Sequence, residues 1–257
     1  MRSRARSAAL VGLGAWLASS GGLARTGLVA TGLLGLGATI AALVSSSTRG
    51  AFLPELAPLA ICWGGGVMLA FGASLRALPL DRDQGVLALV RARGASAADY
   101  VRSRVLGLVV VLAMAVGGCT AVACLAAIAA AHGGASVVRS SLGAVVYALL
   151  FAATLGPVAM AALGARTRAG GYLSLLAVLV VPELLAGFTA RLLPRGWHEL
   201  TSIPEALAAV REAVVHPVLA GAHGARGLAG LLAVIALALL VVAARVRAAD
   251  GARAGAT

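Results

Sequence analysis

Long apolar segments of Ala, Leu, Val and Gly alternate with shorter polar segments along the chain. A membrane crossing needs about 20 apolar residues, and a helix is the form that satisfies its own backbone hydrogen bonds in lipid. The pattern predicts six such spans, at 27–46, 56–77, 106–130, 142–164, 172–190 and 227–244. We therefore expect an all-α, polytopic membrane protein with one transmembrane domain over residues 1–257.

The segment before the first predicted span, residues 1–26, allows three interpretations. Its Arg-rich start and short apolar core are features of a secretory signal peptide, and a seventh span is a second alternative. Polar and Gly residues at 19–22 weaken it as a span. Because Arg6 and Arg25 bracket the apolar stretch and would lie on one side, we favour a helix in the membrane interface.

The arginines indicate how the spans are oriented. Cytoplasmic loops of membrane proteins carry an excess of basic residues. With the N-terminus inside, the inner segments carry more than twice as many arginines as the outer ones. Both termini and the 78–105 segment are therefore predicted to be cytoplasmic, and 191–226 to be extracytoplasmic. A composition rich in Ala, Gly and Arg is typical of GC-rich bacterial genomes, so we expect the bacterial inner membrane.

The charged residues exclude several classes of function. The 257 residues are 61% hydrophobic and 12% charged, and every basic residue is Arg. Without Lys, the chain can form neither a Walker A loop nor a Schiff base. The net charge of +12 favours anionic lipid over nucleic acid, because the arginines flank apolar segments and form no basic stripe interleaved with aromatic residues. The three cysteines have no metal-ligand or disulfide spacing, so no metal or cofactor is expected on this chain.

The 78–105 segment concentrates polar residues between the second and third predicted spans. Pro79 suits a helix start, and we expect Asp81 and Asp83 near the positive end of that helix. Apolar residues then recur at a spacing that places them on one face, with polar residues on the remainder. The apolar set is Val86, Leu87, Leu89 and Val90, and the polar set is Arg82, Gln84 and Arg91.

Two local signals divide this segment into helices. Gly94 is expected to end the first helix as a C′ residue, and Ser96 with Asp99 matches a capping box that starts a second helix near Ala97. The second helix leads into the third span. Amphipathicity alone leaves two alternatives equally supported, a helix resting on the lipid surface and a helix docked in a groove of a partner protein.

The stretch "DRDQGVLALVRARGASAADYVRSRVLG" resembles the intracellular segment of type-2 ATP-binding-cassette exporter permeases. Asp81 and Asp83 match the acidic start of that segment, and Gly85-Val86-Leu87 matches its Gly-x-Leu core. The Gly94-Ala95-Ser96 turn replaces a frequent Pro-Val-Ser turn, and the run from Arg104 to Gly107 matches the closing basic-x-x-Gly. Six spans, an N-terminal interfacial elbow helix and a longer stretch between spans five and six are also similar to that family.

The resemblance implies a permease that docks on a separate ATPase subunit and pairs with a second copy or a homologous permease. ATP and Mg would bind the partner ATPase, so this chain would be a transport subunit and not an enzyme. The implied coupling residues are Asp81, Asp83, Gln84, Gly85, Val86, Leu87, Leu89, Val90 and Arg91, with Gly94, Ser96 and Asp99 as hinge and cap. The stretch from Gly164 to Pro182 is also similar to the haem-exporter branch. The transported substrate is not indicated.

Three further features bear on function. Glu183 would lie at mid-depth in the fifth span, where an ionisable group faces a transport pathway, unless Pro182 breaks the helix and places Glu183 near the outer surface. Residues 203–214 suit an interfacial helix capped by Ser202 with Glu205 at N3. Gly64–Gly66 suit close helix packing. The classes of protein that remain as alternatives to an exporter permease are an intramembrane enzyme and a non-transporting assembly subunit.

Overall fold

The computed structural model describes residues 2–44, 53–75, 77–131, 134–163, 168–184, 188, 200 and 202–254, and it contains no β-strand among them. Two π-helical stretches, Ala60–Gly66 and Ala113–Gly117, lie within the second and third predicted spans. The helices in chain order are α1 (Arg2–Ser20), α2 (Gly22–Val44), α3 (Leu53–Leu59), α4 (Val67–Ser74), α5 (Ala77–Asp83), α6 (Val86–Ala92), α7 (Ala97–Leu112), α8 (Gly118–Ala130), α9 (Ala135–Leu163), α10 (Arg168–Leu179), α11 (Ile203–Val215) and α12 (Pro217–Ala254).

Five helices of the described part are long and apolar enough to cross a membrane, so the chain is an all-α, multi-pass membrane protein. They correspond to the first four predicted spans and the last one. Their ranges are Gly22–Val44, Pro54–Ser74, Ala98–Ala130, Ala135–Ala162 and Pro217–Arg245.

The predicted fifth span, 172–190, does not form one long helix in the described residues. The helix α10 ends at Leu179, a turn follows at Val180, and residues 181–184 are helical again. Pro182 lacks a backbone N–H and restricts the residue before it, which accounts for the interruption. The apolar helix here, Leu173–Leu184, is shorter than a span. Residues 185–187, 189 and 190 of the predicted span lie outside the described residues.

The helix α9 forms the centre of the bundle. Its most apolar stretch is 72% buried inside the protein, against 22% for α2 and 28% for α12, which leaves those two at the periphery. Tyr147 and Phe151 of α9 are among the largest fully buried side chains. Trp63 donates a hydrogen bond from Nε1 to the Tyr147 hydroxyl at 2.8 Å and packs edge-on against the Phe151 ring.

Glycines allow the second apolar helix to lie directly against its neighbours, as expected for Gly64–Gly66. A Cβ on Gly65 would overlap the backbone of Thr31 in α2, and one on Gly66 would lie 2.9 Å from side-chain atoms of Phe151 and Val116. Small residues of this kind permit the close backbone approach that stabilises helix pairs in membranes. The close-packing prediction is therefore confirmed for Gly65 and Gly66.

The N-terminal helix α1 packs along α7 and is separated from α2 only by a bend at Gly21. Gly14 faces the backbone of Ser103 and Arg104, and Gly107 faces the backbone of Gly14 and Ala15. The packing buries Ala18 almost completely. The helix therefore has protein on one side and does not rest on lipid alone.

The prediction of one helix from Pro79 to Gly94 was wrong. Two short helices, α5 and α6, are separated at Gln84 and Gly85, where Gly85 has a φ of 73° that ordinary side chains rarely adopt. Asp81 consequently lies near the C-terminal end of α5, where the helix dipole does not favour a carboxylate. The expected placement of Asp81 and Asp83 at the positive end of a helix was wrong for this reason.

The predicted helix end at Gly94 and the predicted cap at Ser96 are confirmed. Gly94 has a φ of 73°, and the Ala95 N–H donates to the Val90 carbonyl at 3.2 Å, which is the long bond of a Schellman motif. The Asp99 N–H donates to Ser96 Oγ at 3.0 Å, so Ser96 caps α7. The Asp99 carboxylate accepts a second hydrogen bond from the Ser96 hydroxyl at 2.7 Å.

The predicted helix at 203–214 is α11, and its cap is confirmed because Ser202 Oγ accepts from the Glu205 N–H at 3.4 Å. One face of α11 is apolar and covered by the protein. Ile203 and Leu207 are buried, and Val210 packs against the same core. This face lies against α9 and α12, so α11 is held by protein contacts and does not lie on the membrane interface alone.

Candidate functional site

A buried ion pair joins three helices at the end of the bundle that carries α5 and α6. Asp81 of α5 is 3% exposed and Arg104 of α7 is 4% exposed. Arg104 donates from Nε to Asp81 Oδ2 at 2.9 Å and from Nη2 to Asp81 Oδ1 at 3.4 Å. The Tyr100 hydroxyl donates to Asp81 Oδ2 at 2.6 Å, and Arg104 Nη1 donates to the Gly14 carbonyl of α1 at 3.3 Å.

The local sequence of α7 explains why these groups meet. Tyr100 and Arg104 are four residues apart and therefore lie on one face of the helix. The Ser96 cap fixes where that helix begins, and the glycine packing against α1 brings the Gly14 carbonyl within reach of Arg104. Asp81 lies in the last turn of α5, which delivers its carboxylate to the same face.

The chemistry of this cluster makes it a strong mechanical link. A buried charge is costly unless it is paired and hydrogen-bonded, and removing one partner of such a pair costs about 3–5 kcal/mol. Arg104 meets both carboxylate oxygens of Asp81 and has a further acceptor in α1. The cluster therefore connects α5 to α7 and, through the Gly14 carbonyl, to α1.

The structure changes the role expected for Asp81. Sequence reasoning assigned it to contact with a partner, whereas its carboxylate points into the protein and binds Arg104 and Tyr100. Tyr100 was missed, and Arg104 was noted only as part of the closing motif. The sequence signal that could have identified this cluster is a Tyr and an Arg four residues apart on the helix that follows Asp81 and Asp83.

The apolar face expected on α6 is divided between the protein and its surroundings. Val90 is buried and Val86 is half-buried against the core, because the two are four residues apart and face inward together. Leu89 points away and is 63% exposed, and Leu80 of α5 is 42% exposed. Val86 and Val90 are therefore covered by the protein, whereas Leu80 of α5 and Leu89 of α6 remain uncovered.

The other predicted residues of this segment are mostly at the surface. Asp83, Gln84, Gly94, Ser96 and Asp99 are exposed, and Gly85 is half-buried. The side chains of Leu87 and Arg91 lie outside the described residues. Among the described side chains, Leu80 and Leu89 are the large apolar ones that are exposed in this segment, and we refer to Leu80, Asp83, Gln84 and Leu89 as the α5–α6 surface.

Glu183 lies beyond Pro182, at the end of the helical residues 181–184, and its side chain is exposed. Its Oε2 accepts a hydrogen bond from the buried hydroxyl of Ser202, the residue that caps α11. This bond connects the end of the α10 segment with the start of α11. A role for Glu183 in a transport pathway stays a prediction.

Within the described residues, no group of three or more His, Cys, Asp or Glu side chains is placed to hold a metal ion. No protein-family model, curated protein or solved structure matches the chain. The family resemblance therefore depends on the 81–107 motif, on its position between the second and third apolar helices, and on the arrangement of the predicted spans.

Proposed function

We propose that this chain is the transmembrane subunit of an ATP-driven exporter of the ATP-binding-cassette type. Two copies, or one copy and a homologous permease, form the pathway, and a separate ATPase subunit binds and hydrolyses ATP with Mg. The observation that carries the proposal is the α5–α6 surface, which lies between two apolar helices and is fastened to α7 and α1 through Asp81 and Arg104.

The mechanism follows from these connections. Closure of the ATPase dimer pushes on α6, where Leu89 is available to be buried in a groove of the partner. Val90 and Val86 couple α6 to the core, and Asp81 couples α5 to Arg104. The displacement therefore reaches the base of the third apolar helix and α1, and tilts the second and third spans against the other protomer. This chain breaks no bonds itself.

The proposal includes a fifth crossing built from two pieces, α10 and α11, so α11 lies within the membrane and not in the extracytoplasmic segment expected at 191–226. Near Ser174 and Val178, α10 lines a groove together with α9 and α12. The helix α11 packs against the same two helices closer to their amino ends, at Gly143 of α9 and at Gly224 and Gly227 of α12.

The hydrogen bond between Glu183 and Ser202 connects the two pieces of this crossing. Broken helices of this kind occur in transporters where the irregular backbone is enclosed by protein. An interrupted crossing gives six in total, with α1 as an elbow helix. Both termini then lie on one side, and the excess of arginines there supports our proposal that it is the cytoplasmic side of a bacterial inner membrane.

The Leu89→Asp variant is expected to lose its ATPase partner. Leu89 is 63% exposed, so a carboxylate is tolerated in the isolated subunit but is costly in an apolar groove. The affinity for the ATPase that co-purifies with the wild-type chain should fall at least about tenfold, equivalent to about 1.4 kcal/mol. Co-purification in detergent and a titration of the separated subunits measure this. Leu87→Asp is expected to act in the same direction.

The matched control is Ala98→Asp, which places the same charge on an exposed residue in the first turn of α7, where the helix dipole favours it. This control should retain the partner, and the thermal unfolding midpoint of Leu89→Asp should equal that of the wild type. Undiminished ATPase binding by Leu89→Asp would remove the docking proposal. A catalytic activity of the subunit purified alone would favour an intramembrane enzyme instead.

A further inference from the structure

A cavity of about 310 Å³ opens at the end of the bundle opposite to the α5–α6 surface. It lies where α3 and α9 begin and where α11 turns into α12, and its volume is at the lower end of the range of small-ligand sites. Seven polar or charged residues line it. They are Glu55, Ser136, Arg139, Ser140, Arg211, Glu212 and His216.

One side of the cavity is suited to an anion. Ser136, Arg139 and Ser140 lie in the first two turns of α9, whose amino end carries a partial positive charge and unpaired N–H groups. Arg211 approaches from α11 and is anchored by a hydrogen bond from Nη1 to the Glu55 carbonyl at 3.3 Å. Its remaining N–H donors are available, and two guanidinium groups with serine hydroxyls are a characteristic set of phosphate ligands.

The same cavity is also lined by two carboxylates, from Glu55 and Glu212. Glu212 has His216 nearby, with 3.8 Å between Glu212 Oε1 and His216 Nε2. In the part of the chain that the structure describes, neither Arg139 nor the Glu55 carboxylate takes part in an ion pair. Charges of both signs therefore face one space, with Arg139 and Glu55 in no direct ion pair, which favours a ligand that carries both signs.

We propose that this cavity binds a phosphate group next to an ammonium group, the chemistry of a phosphoethanolamine unit. Arg139 and Arg211 hold the phosphate, and Glu55 and Glu212 hold the ammonium. The apolar helices that begin at Pro54 and Ala135 start beside the cavity, which places it at the level of lipid head groups. The phosphoethanolamine group occurs both in a phospholipid head group and in free solutes. The site is independent of an ATPase partner and of the proposed transport function.

The test measures binding of glycerophosphoethanolamine to the full chain in detergent, with glycerophosphoglycerol as the probe that lacks the ammonium. The wild type should bind the first probe saturably and at least tenfold more tightly than the second. Arg139→Gln and Glu55→Gln should each weaken binding of glycerophosphoethanolamine at least tenfold. Arg25→Gln, an exposed change on α2, should leave it unchanged.

A second experiment distinguishes a phospholipid from a free solute as the source of the phosphoethanolamine group. The thermal unfolding midpoint is compared in nanodiscs of phosphatidylglycerol with and without phosphatidylethanolamine. If phosphatidylethanolamine raises the unfolding midpoint and Arg139→Gln abolishes that increase, the ligand is the lipid. If the soluble probe binds but the midpoint does not rise, the ligand is a solute. The proposal is overturned if neither form binds, if the two soluble probes bind equally, or if Arg139→Gln and Glu55→Gln bind like the wild type. Both variants alter exposed side chains, so their ligand-free midpoints should match the wild type.

Discussion

Replacement of Arg104 by Gln is expected to destabilise the protein by about 3–5 kcal/mol, because it leaves the Asp81 carboxylate buried without its cation. The variant also loses the hydrogen bond from Arg104 to the Gly14 carbonyl, so α1 should loosen from α7. Denaturant unfolding of the purified chain in detergent measures the first effect. Protease sensitivity of the first 20 residues reports the second. Arg102→Gln, an exposed change two residues away, is the matched control and should stay within about 0.5 kcal/mol of the wild type.

The companion variant Asp81→Asn should be destabilised in the same way, since it leaves the Arg104 guanidinium unpaired. The double variant should lose less stability than the sum of the two single variants, with a coupling energy of about 0.5–3 kcal/mol. Strictly additive losses, or an Arg104→Gln variant as stable as the Arg102→Gln control, would show that the pair does not hold α5 and α7 together.

The Gly107→Ala substitution is the second change with a large expected effect. A Cβ at this position would overlap backbone atoms of Gly14 and Ala15, which no rotamer change can relieve. We expect a loss of about 1–3 kcal/mol together with separation of α1 from α7. Thermal unfolding measures the loss, and the distance between spin labels placed on the two helices measures the separation.

Gly118→Ala provides the matched control for this prediction. Gly118 begins α8, on the continuation of the same apolar helix, and a Cβ there meets nothing within 4 Å. The additional methyl group should stabilise the helix by about 0.5–1 kcal/mol. The packing of α1 on α7 would be contradicted if Gly107→Ala behaved like Gly118→Ala.

Features set by local chemistry could be predicted from the sequence. The length of the apolar segments was sufficient for five of the helices. The Schellman turn at Gly94 and the Ser96 cap were predictable because each is formed by residues within a few positions of one another. The same holds for Ser202 at the start of α11.

Features that depend on distant parts of the chain could not be predicted in this way. Asp81 pairs with a residue 23 positions away, and only the tertiary fold brings the two together. The apolar residues of 86–90 all lie in α6, and which of them the core covers depends on how α6 packs, so that Val90 is buried and Leu89 is exposed. A break at Pro182 was one of two alternatives, but the contact of Glu183 with Ser202 crosses 19 positions and could not be predicted.

The most direct test of the proposed coupling is photo-crosslinking in intact cells from a photoreactive amino acid at Leu89. The adduct should contain an ATPase subunit with a Walker A motif, identified by mass spectrometry of the attached chain. The same probe at Val218, which is 95% exposed at the opposite end of the bundle, should not capture that subunit. An adduct at Leu89 that consists of lipid alone, or capture of the ATPase equally from Val218, would contradict the account.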